Sequence, residues 1–266
     1  MNVIGVDVGA SFADAVLFNG KKVLKTVSVE RRKLKSLKGF LQKNFDLKKI
    51  DVIAVTGGRK LSLRFGKIKM SRVGELRAIS SGASFLTKKK RFLAANIGTG
   101  TPLVFVEGKK WRHLGGTGVG GGTLAGLGKL LLNASPLQVE RLALKGSNTL
   151  DLSVADITGG KIGVVPASST ASNYGKLATG GLRRVQVKKE DVAWSLLNLV
   201  AEVVARLSVL ASRQCGCKKD IVVTGRVAAN SLVKKRLRAV AKTFGCKVIV
   251  PRNAQFATAI GAARSV

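Results

Sequence analysis

An α/β fold divided into two lobes is what this sequence predicts, and three observations predict it. Short apolar segments rich in Val and Ile alternate with longer segments whose apolar residues recur at helical spacing. A strand, turn, strand, turn, strand order opens the chain at Asn2 and starts again at Phe92, as a weak internal duplication. Toward the C-terminus strands and helices alternate, which favours a mixed α/β arrangement.

The first three strands are Asn2 to Val8, Ala13 to Phe18 and Lys22 to Val27, each β-branched or alternating. A turn containing Gly9 separates the first pair, and Asn19-Gly20, a strong hairpin signal, separates the second. Arg32 to Asn44 carries Leu34, Leu37, Phe40 and Leu41 on one stripe and reads as a helix. Asp51 to Thr56 is a buried-strand candidate ending at Gly57-Gly58, and a second helix runs from about Gly74 to Thr87. The repeat supplies strands Phe92 to Ile97, Pro102 to Val106 and Lys110 to Leu114. Helices follow at Val119 to Leu132 and Leu137 to Leu144, and a Gly/Ser/Thr-rich stretch from Lys145 to Gly181 reads as irregular. Asp191 to Ser212 is a long helix with one broad apolar face. Strand Ile221 to Thr224, helix Asn230 to Phe244, strand Lys247 to Val250 and helix Ala254 to Ala263 complete the order. No flexible linker interrupts it, and the lobes are expected to divide near Lys90, as residues 1–90 and 91–266.

A chain of 266 residues, 45% of them apolar, can bury a sizeable core, so disorder is excluded. Val3 to Val8 is too short to span a bilayer, Glu202 and Arg206 interrupt Leu196 to Leu210, and no charged-then-apolar leader opens the chain. The expectation is a soluble cytoplasmic protein with no membrane partner. Cys215, Cys217 and Cys246 cannot form a disulfide framework, and with a single histidine, His113, a structural zinc site lacks ligands. The 47 Lys and Arg against 14 Asp and Glu give a formal charge of +33, a field that attracts polyanions. These cations are spread over Arg31 to Lys38, Lys88 to Arg91, Lys109 to Arg112, Arg183 to Lys189 and Lys234 to Arg238, the pattern of solvated faces. One Tyr, two Trp and ten Phe, many of them inside apolar strands, leave few rings for base stacking, so the charge accommodates non-specific nucleic-acid contact without sequence reading.

Four glycine-bearing turns follow apolar strands: Asp7-Val8-Gly9-Ala10-Ser11, Thr56-Gly57-Gly58, Asn96-Ile97-Gly98-Thr99-Gly100-Thr101 and Thr224-Gly225-Arg226. Glycine lets backbone N–H groups approach a phosphate, and a neighbouring Ser or Thr adds a hydroxyl donor. A fifth cluster, Gly115 through Thr123, stands just before a helix, where an anion is favoured. Neither a Walker A pattern nor a dinucleotide Gly-x-Gly-x-x-Gly after the first strand is present. Asp7 lies inside an apolar strand, where an unpaired carboxylate is costly. It either serves a hydrated Mg²⁺ beside nucleotide phosphates or caps the adjacent turn. Glu75 stands at a helix start in a basic neighbourhood and, read locally, is a partner for the helix dipole.

Taken together these motifs resemble the type II pantothenate kinases. The matching residues are Asp7-x-Gly-x-Ser11, Thr56-Gly57-Gly58, Glu75 with Ser80, Ala95 through Thr101, and Gly115 through Thr123 followed by Gly126-Leu127-Gly128. Thr170 through Gly175 and Gln255-Phe256 before Ala259-Ile260-Gly261-Ala262 complete the order, which covers nearly the whole chain. The resemblance implies an actin-like, ribonuclease-H-like fold of two duplicated lobes with the nucleotide in the cleft, and a homodimer formed through a long helix similar to Asp191 to Ser212. It also implies phosphorylation of the primary hydroxyl of pantothenate, the first step towards coenzyme A, with ATP and Mg²⁺ as cofactors and acyl-coenzyme A as a regulator. By position, Glu75 is then the general base and Asp7, Val8, Gly9, Ala10 and Ser11 belong to the first phosphate loop. Thr99 and Gly100 hold phosphate, Gly121, Gly122, Thr123, Leu124 and Ala125 line the nucleotide, and Gly225 with Arg226 lies near the adenosine. Thr99, Thr101, Arg112, His113 and Asn173 are the implied acceptor contacts.

Two positions depart from the family pattern: Asp14 stands where a lysine is usual, and His113 where an arginine is usual. A carboxylate in place of a phosphate-side cation reverses the local field. Asp14 is then turned away, bridges to Mg²⁺, or signals another substrate. His113 either donates to a substrate carboxylate, is replaced by Arg112 in a shifted register, or is structural. The opening Gly5 to Asp14 also looks like hydantoinase-type ATPase starts. The alternatives are therefore another small-molecule kinase or an ATPase activator of the same superfold, such as an N-acetylglucosamine-kinase-like or hydantoinase-like ATPase, or a basic, nucleic-acid-associated pseudokinase.

Overall fold

The β-branched opening segments pair into an antiparallel meander of β1 (Val3–Val8), β2 (Phe12–Phe18) and β3 (Val23–Glu30), and β4 (Val52–Gly57) joins β1 in parallel. The computed structural model describes residues 1–57, 65–66, 68–179 and 187–266. Gly58, the 180–181 end of the stretch read as irregular and residues 183–186 of one basic run lie outside the described residues. A further strand, β5 (Lys69–Arg72), pairs in parallel with β4; its polar sequence at the sheet edge carries no apolar alternation to announce it.

The helix expected from Arg32 begins later, as α1 (Leu37–Asn44). The Ser36 hydroxyl accepts from the Gly39 N–H at 3.0 Å and caps it, leaving Arg31–Lys33 as a separate 3-10 turn. Then come α2 (Glu75–Thr87), the strands β6 (Arg91–Asn96), β7 (Thr101–Glu107) and β8 (Lys110–Thr117), and the helices α3 (Gly121–Leu132) and α4 (Pro136–Ala143).

The stretch expected to be irregular contains β9 (Leu152–Ser153), α5 (Val154–Thr158), β10 (Thr170–Ser172) and α6 (Gly175–Ala178). Its order comes from polar groups: buried Asp151 accepts from the Tyr174 N–H at 2.9 Å and from Asn198 Nδ2 at 2.7 Å. α7 (Lys189–Gln214) is, among the described residues, the one helix long and apolar enough by length and composition to cross a membrane. Since 67% of its apolar window is buried within the fold, its hydrophobicity is spent on the core. β11 (Ile221–Thr224), α8 (Ser231–Thr243), β12 (Val248–Ile249) and α9 (Ala257–Arg264) end the order.

The second sheet runs β12-β11-β6-β7-β8, repeating the first sheet's β5-β4-β1-β2-β3 strand for strand and direction for direction. The duplication read from the restart at Phe92 is therefore a duplication of topology. Helices α3, α4, α7 and α8 bury one face of the second sheet around Leu93, Ile97, Leu196 and Leu237. On the first sheet, α1 covers the face carrying Ile4 and Val6, while α9 covers the face carrying Val3 and Val16.

Between the sheets lies α2, which packs Ala78 toward the first core and Ile79 and Ala83 against Phe92 and Val104 of the second sheet. Its partner is α9, and the two backbones touch through glycine. A Cβ on Gly82 would stand 1.8 Å from Ala257 O, and one on Gly261 1.7 Å from Ala78 O. The end of the chain thus returns to the first sheet, although 91–266 was expected to form the second lobe; the small residues of α9 fit only where a helix approaches this closely.

Candidate active site

The strand ends converge on one cleft. β1 and β4 deliver Asp7, Val8, Gly9, Ala10 and Gly57; β6, β7 and β8 deliver Asn96, Gly98, Thr99, Gly100, Thr101 and His113; the start of α2 delivers Glu75. These residues and Arg31 line a cavity of about 890 Å³. A second cavity of about 120 Å³ adjoins it, lined among others by Ser11, Asp14, Gly121, Leu124, Glu140, Gly225 and Arg226. Asp7, Gly9, Ala10, Asn96, Gly98 and Thr99 line both, so the two cavities meet where the glycine turns of the two sheets face each other.

The backbone decides which amides are free for an anion. The Gly9 N–H donates to Phe12 O at 2.9 Å, and the Gly121 and Gly122 N–H groups donate to Gly98 O and Thr99 O at 2.7 and 2.9 Å. The first turn of α3 therefore clamps the 98–100 loop. Among the described residues no acceptor takes the N–H of Ala10, Thr99 or Gly100, which leaves those amides for a ligand. Thr123 accepts from the Gly120 N–H at 3.1 Å and donates to Gly118 O at 3.2 Å, so its hydroxyl caps the helix. Thr101 likewise donates to Val119 O at 2.8 Å.

Strand register sets Asp14, Asp7 and Thr56 side by side, since Asp7 pairs with Asp14 on β2 and with Thr56 on β4. Burial first, then the charges of Asp14 and Glu75, push the Asp7 carboxyl up to about 7. Its side chain takes no hydrogen bond from the described residues, and the buried Thr56 Oγ1 beside it is unpartnered among them. A buried carboxylate and an orphaned hydroxyl suit a hydrated Mg²⁺, which keeps its waters and asks the protein for one or two oxygens. Gly57 completes that cradle, because a Cβ there would stand 2.7 Å from Asp7 Oδ1. Among the described residues no group of three or more His, Cys, Asp or Glu forms a protein-only metal cage.

Asp14 is neither turned away nor free. Arg226 donates to Asp14 Oδ1 and to Ser28 Oγ at 2.7 Å each, and its guanidinium lies 3.8 Å over the Phe12 ring. Burial raises the Asp14 carboxyl although Arg226 and Ser28 pull it down. The pair joins β2 of the first sheet to the turn after β11 of the second, across the smaller cavity. Glu140, which no motif singled out, lines the same cavity with its carboxyl raised by burial and lowered in part by Asn230 and Arg226.

Glu75 is the exposed first residue of α2, makes no side-chain cap bond, and has no ion-pair partner among the described residues. Its carboxylate faces the larger cavity with His113. Five expected positions fall outside both cavities. Arg112 precedes His113 on β8 and so points from the opposite face, exposed. Asn173 donates to Asp151 at 3.3 Å within the network under β9 and β10. Gly122 and Thr123 belong to the α3 clamp and its cap, and Ala125, one turn on, lines neither cavity. Arg31 went unread as a site residue because it sits in a basic run. The signal was the meander itself, which returns the end of β3 to the first glycine turn, where the Arg31 N–H donates to Ser11 O at 2.8 Å.

The three cysteines are buried and free, with Cys217 Sγ on Cys215 O and Cys246 Sγ on Phe244 O. They lie in the core of the second lobe.

Similarity to known proteins runs along the same lines. The (R)-2-hydroxyglutaryl-CoA dehydratase component A of Acidaminococcus fermentans superposes with a TM-score of 0.70 at 19% identity, covering 100% of this chain and 97% of that one. The ROK family glucokinase of Streptomyces griseus, solved with glucose and AMPPNP, superposes with a TM-score of 0.60 at 13% identity, covering 100% and 99%. Both likenesses concern the fold, which is the actin-like duplicated α/β fold. In sequence, the type II pantothenate kinase of Bacillus cereus is 33% identical over 216 residues, 77% of each chain. That of Oceanobacillus iheyensis is 30% identical over 271 residues, 98% of each chain. The Fumble family model matches residues 91–263, and with these relatives it establishes that the chain belongs to the type II pantothenate kinase family.

Proposed function

We propose that this protein is an ATP-dependent kinase that phosphorylates the primary hydroxyl of pantothenate. The observation carrying this reading is the pair of adjoining cavities that share the glycine turns of both sheets, with Glu75 in the larger one alone. ATP enters through the smaller cavity, its terminal phosphate beside the free amides of Ala10, Thr99 and Gly100. Pantothenate occupies the larger cavity with its hydroxyl at Glu75. The hydroxyl oxygen forms a bond to the γ-phosphorus, the bond to the β–γ bridging oxygen breaks, and ADP leaves. The hydroxyl proton passes to the Glu75 carboxylate. Such a site needs little covalent chemistry from the protein, because positioning and charge neutralisation carry most of phosphoryl transfer. When bound, Mg²⁺ supplies charge neutralisation at the phosphates, and Asp7, through water, with Thr56 nearby, are the residues that would hold it.

The same reading makes residues 1–90, with the returning α9, the lobe that activates the acceptor, and the rest of the chain the nucleotide lobe. A homodimer involving α7, control by acyl-coenzyme A and a cytoplasmic location belong to it as well; Leu210 of α7, 62% exposed, supports an apolar contact there. The test is an assay with ATP and Mg²⁺ across pantothenate, pantetheine and N-acetylglucosamine. Turnover on pantothenate is expected, and turnover on the amino sugar alone overturns the substrate while leaving the fold untouched.

A further inference from the structure

We propose that Arg31 is the cation that receives the carboxylate of the acceptor and so sets the enzyme's preference for an acidic substrate. This rests on the pantothenate kinase reading and names a binding residue within it. On that reading the residues lining both cavities surround the phosphoryl group in flight, and the larger cavity, beyond the Gly57 and Gly100 backbone, takes the acceptor. Arg31 lines the larger one alone, together with Glu75, Thr101 and His113.

Charge then requires it. Asp7 and Glu75 bring carboxyl groups to this cavity, and an acceptor that carries its own carboxylate meets repulsion unless a cation stands opposite. Among the described residues lining the cavity, Arg31 is the one side chain that is always protonated. It is also uncommitted. The adjacent Arg32 and Lys33 both pair with Glu30, whereas the Arg31 guanidinium has no partner among the described residues. Its backbone is held, because the N–H donates to Ser11 O at 2.8 Å beside the first glycine turn. A fixed base with a free guanidinium fork suits bidentate capture of a carboxylate. His113, presented by β8 of the other sheet, supplies a second donor from the facing wall.

The experiment compares wild type, Arg31→Gln and Arg31→Lys on two acceptors, pantothenate and its neutral primary amide, at saturating ATP and Mg²⁺. Arg31 is exposed and makes no core contact, so the variants fold, as thermal melts will verify. On pantothenate, Arg31→Gln raises KM roughly 10–100-fold, the worth of a lost charge-assisted bond, while kcat and the KM for ATP move far less. On the amide the penalty disappears, and Arg31→Lys recovers part of the loss on the acid. Equal losses on acid and amide, or a loss confined to the KM for ATP, overturn the assignment while leaving the kinase reading intact. A wild-type protein that phosphorylates neither acceptor overturns that reading, and this assignment with it.

Discussion

Glu75 and Asp7 share one cavity and face opposite demands. Glu75 must be ionised to take a proton, and it stands exposed and unpaired at the first turn of α2, where the helix dipole favours negative charge. Glu75→Gln keeps the size and removes the basic lone pair. Steady-state kinetics are expected to show kcat lowered roughly 10²–10⁴-fold with nucleotide affinity little changed. A residue that merely favoured the helix would instead cost about 1 kcal/mol or less of stability with turnover intact. Asp7 is the converse case, raised to about 7 by burial and by the charges of Asp14 and Glu75. Between the ordinary carboxyl value and that point the folded chain holds a proton that the unfolded chain has released. Without metal or nucleotide, stability therefore falls as pH rises from about 4 to about 7 and then levels. Asp7→Asn removes that slope, so its melting temperature should exceed that of wild type at pH 8 and approach it at pH 4. The gap corresponds to roughly 1.4 kcal/mol for each pH unit that the proton uptake spans. Parallel pH dependences of the melts of wild type and Asp7→Asn would refute the burial argument.

At the scale of elements, legibility followed how each element is stabilised. Strands β1, β2, β4, β6 and β11 and helices α2, α3 and α7 bury β-branched runs or broad apolar stripes, and apolar periodicity announces such elements. β5 and the small elements around Asp151 are held by edge pairing and polar hydrogen bonds, which leave no periodic trace. The site divides in the same way. Asp7, Gly9, Thr99 and Glu75 were readable because strand ends and helix starts present them, while Arg31 and the Asp14–Arg226 pair depend on which distant strands become neighbours. Asn173 and Thr123 bear polar side chains that the fold uses for its own hydrogen bonds. The α2–α9 contact is a third kind of case, where Gly261 of a motif, with Gly82 facing it, is a packing device. Gly261→Ala forces a methyl group against Ala78 O. It should destabilise the protein by roughly 1–3 kcal/mol or more, because backbone yields less readily than a side chain. The loss should appear in thermal melts and also as lowered kcat, since α2 carries Glu75. A melt unchanged within error would mean that the two helices are not held together as described.

Across the whole molecule, a charge of +33 and a buried carboxylate at the nucleotide cavity act on ATP binding by different routes. The overall field draws ATP in and is carried by exposed side chains, so it weakens once salt shortens the Debye length. The Kd for ATP should therefore rise between about 0.02 M and about 0.2 M salt. Asp14 lies within the fold and acts differently. By charge alone it repels phosphate, and Asp14→Asn would then tighten ATP binding. Its geometry argues for the other sign. Asp14, Ser28 and Phe12 hold the Arg226 guanidinium from one lobe while its backbone belongs to the other, so the carboxylate aims a cation at the cavity and ties the lobes across it. Releasing Arg226 removes a positioned donor and loosens the tie between the two sheets together. We expect Asp14→Asn to weaken ATP binding by roughly 3–10-fold, the worth of one or two aligned hydrogen bonds. The ratio of variant to wild-type Kd should stay nearly constant across the salt series, because a buried pair is screened little. Titrations of ATP into both proteins at each salt concentration read the two effects separately. Tighter binding by the variant would reduce Asp14 to a repulsive charge, and a penalty that fades with salt would assign it to the long-range field. A weaker affinity whose penalty is salt-independent makes the Asp14–Arg226 pair the means by which this chain keeps a cation at the nucleotide cavity with an acid at position 14.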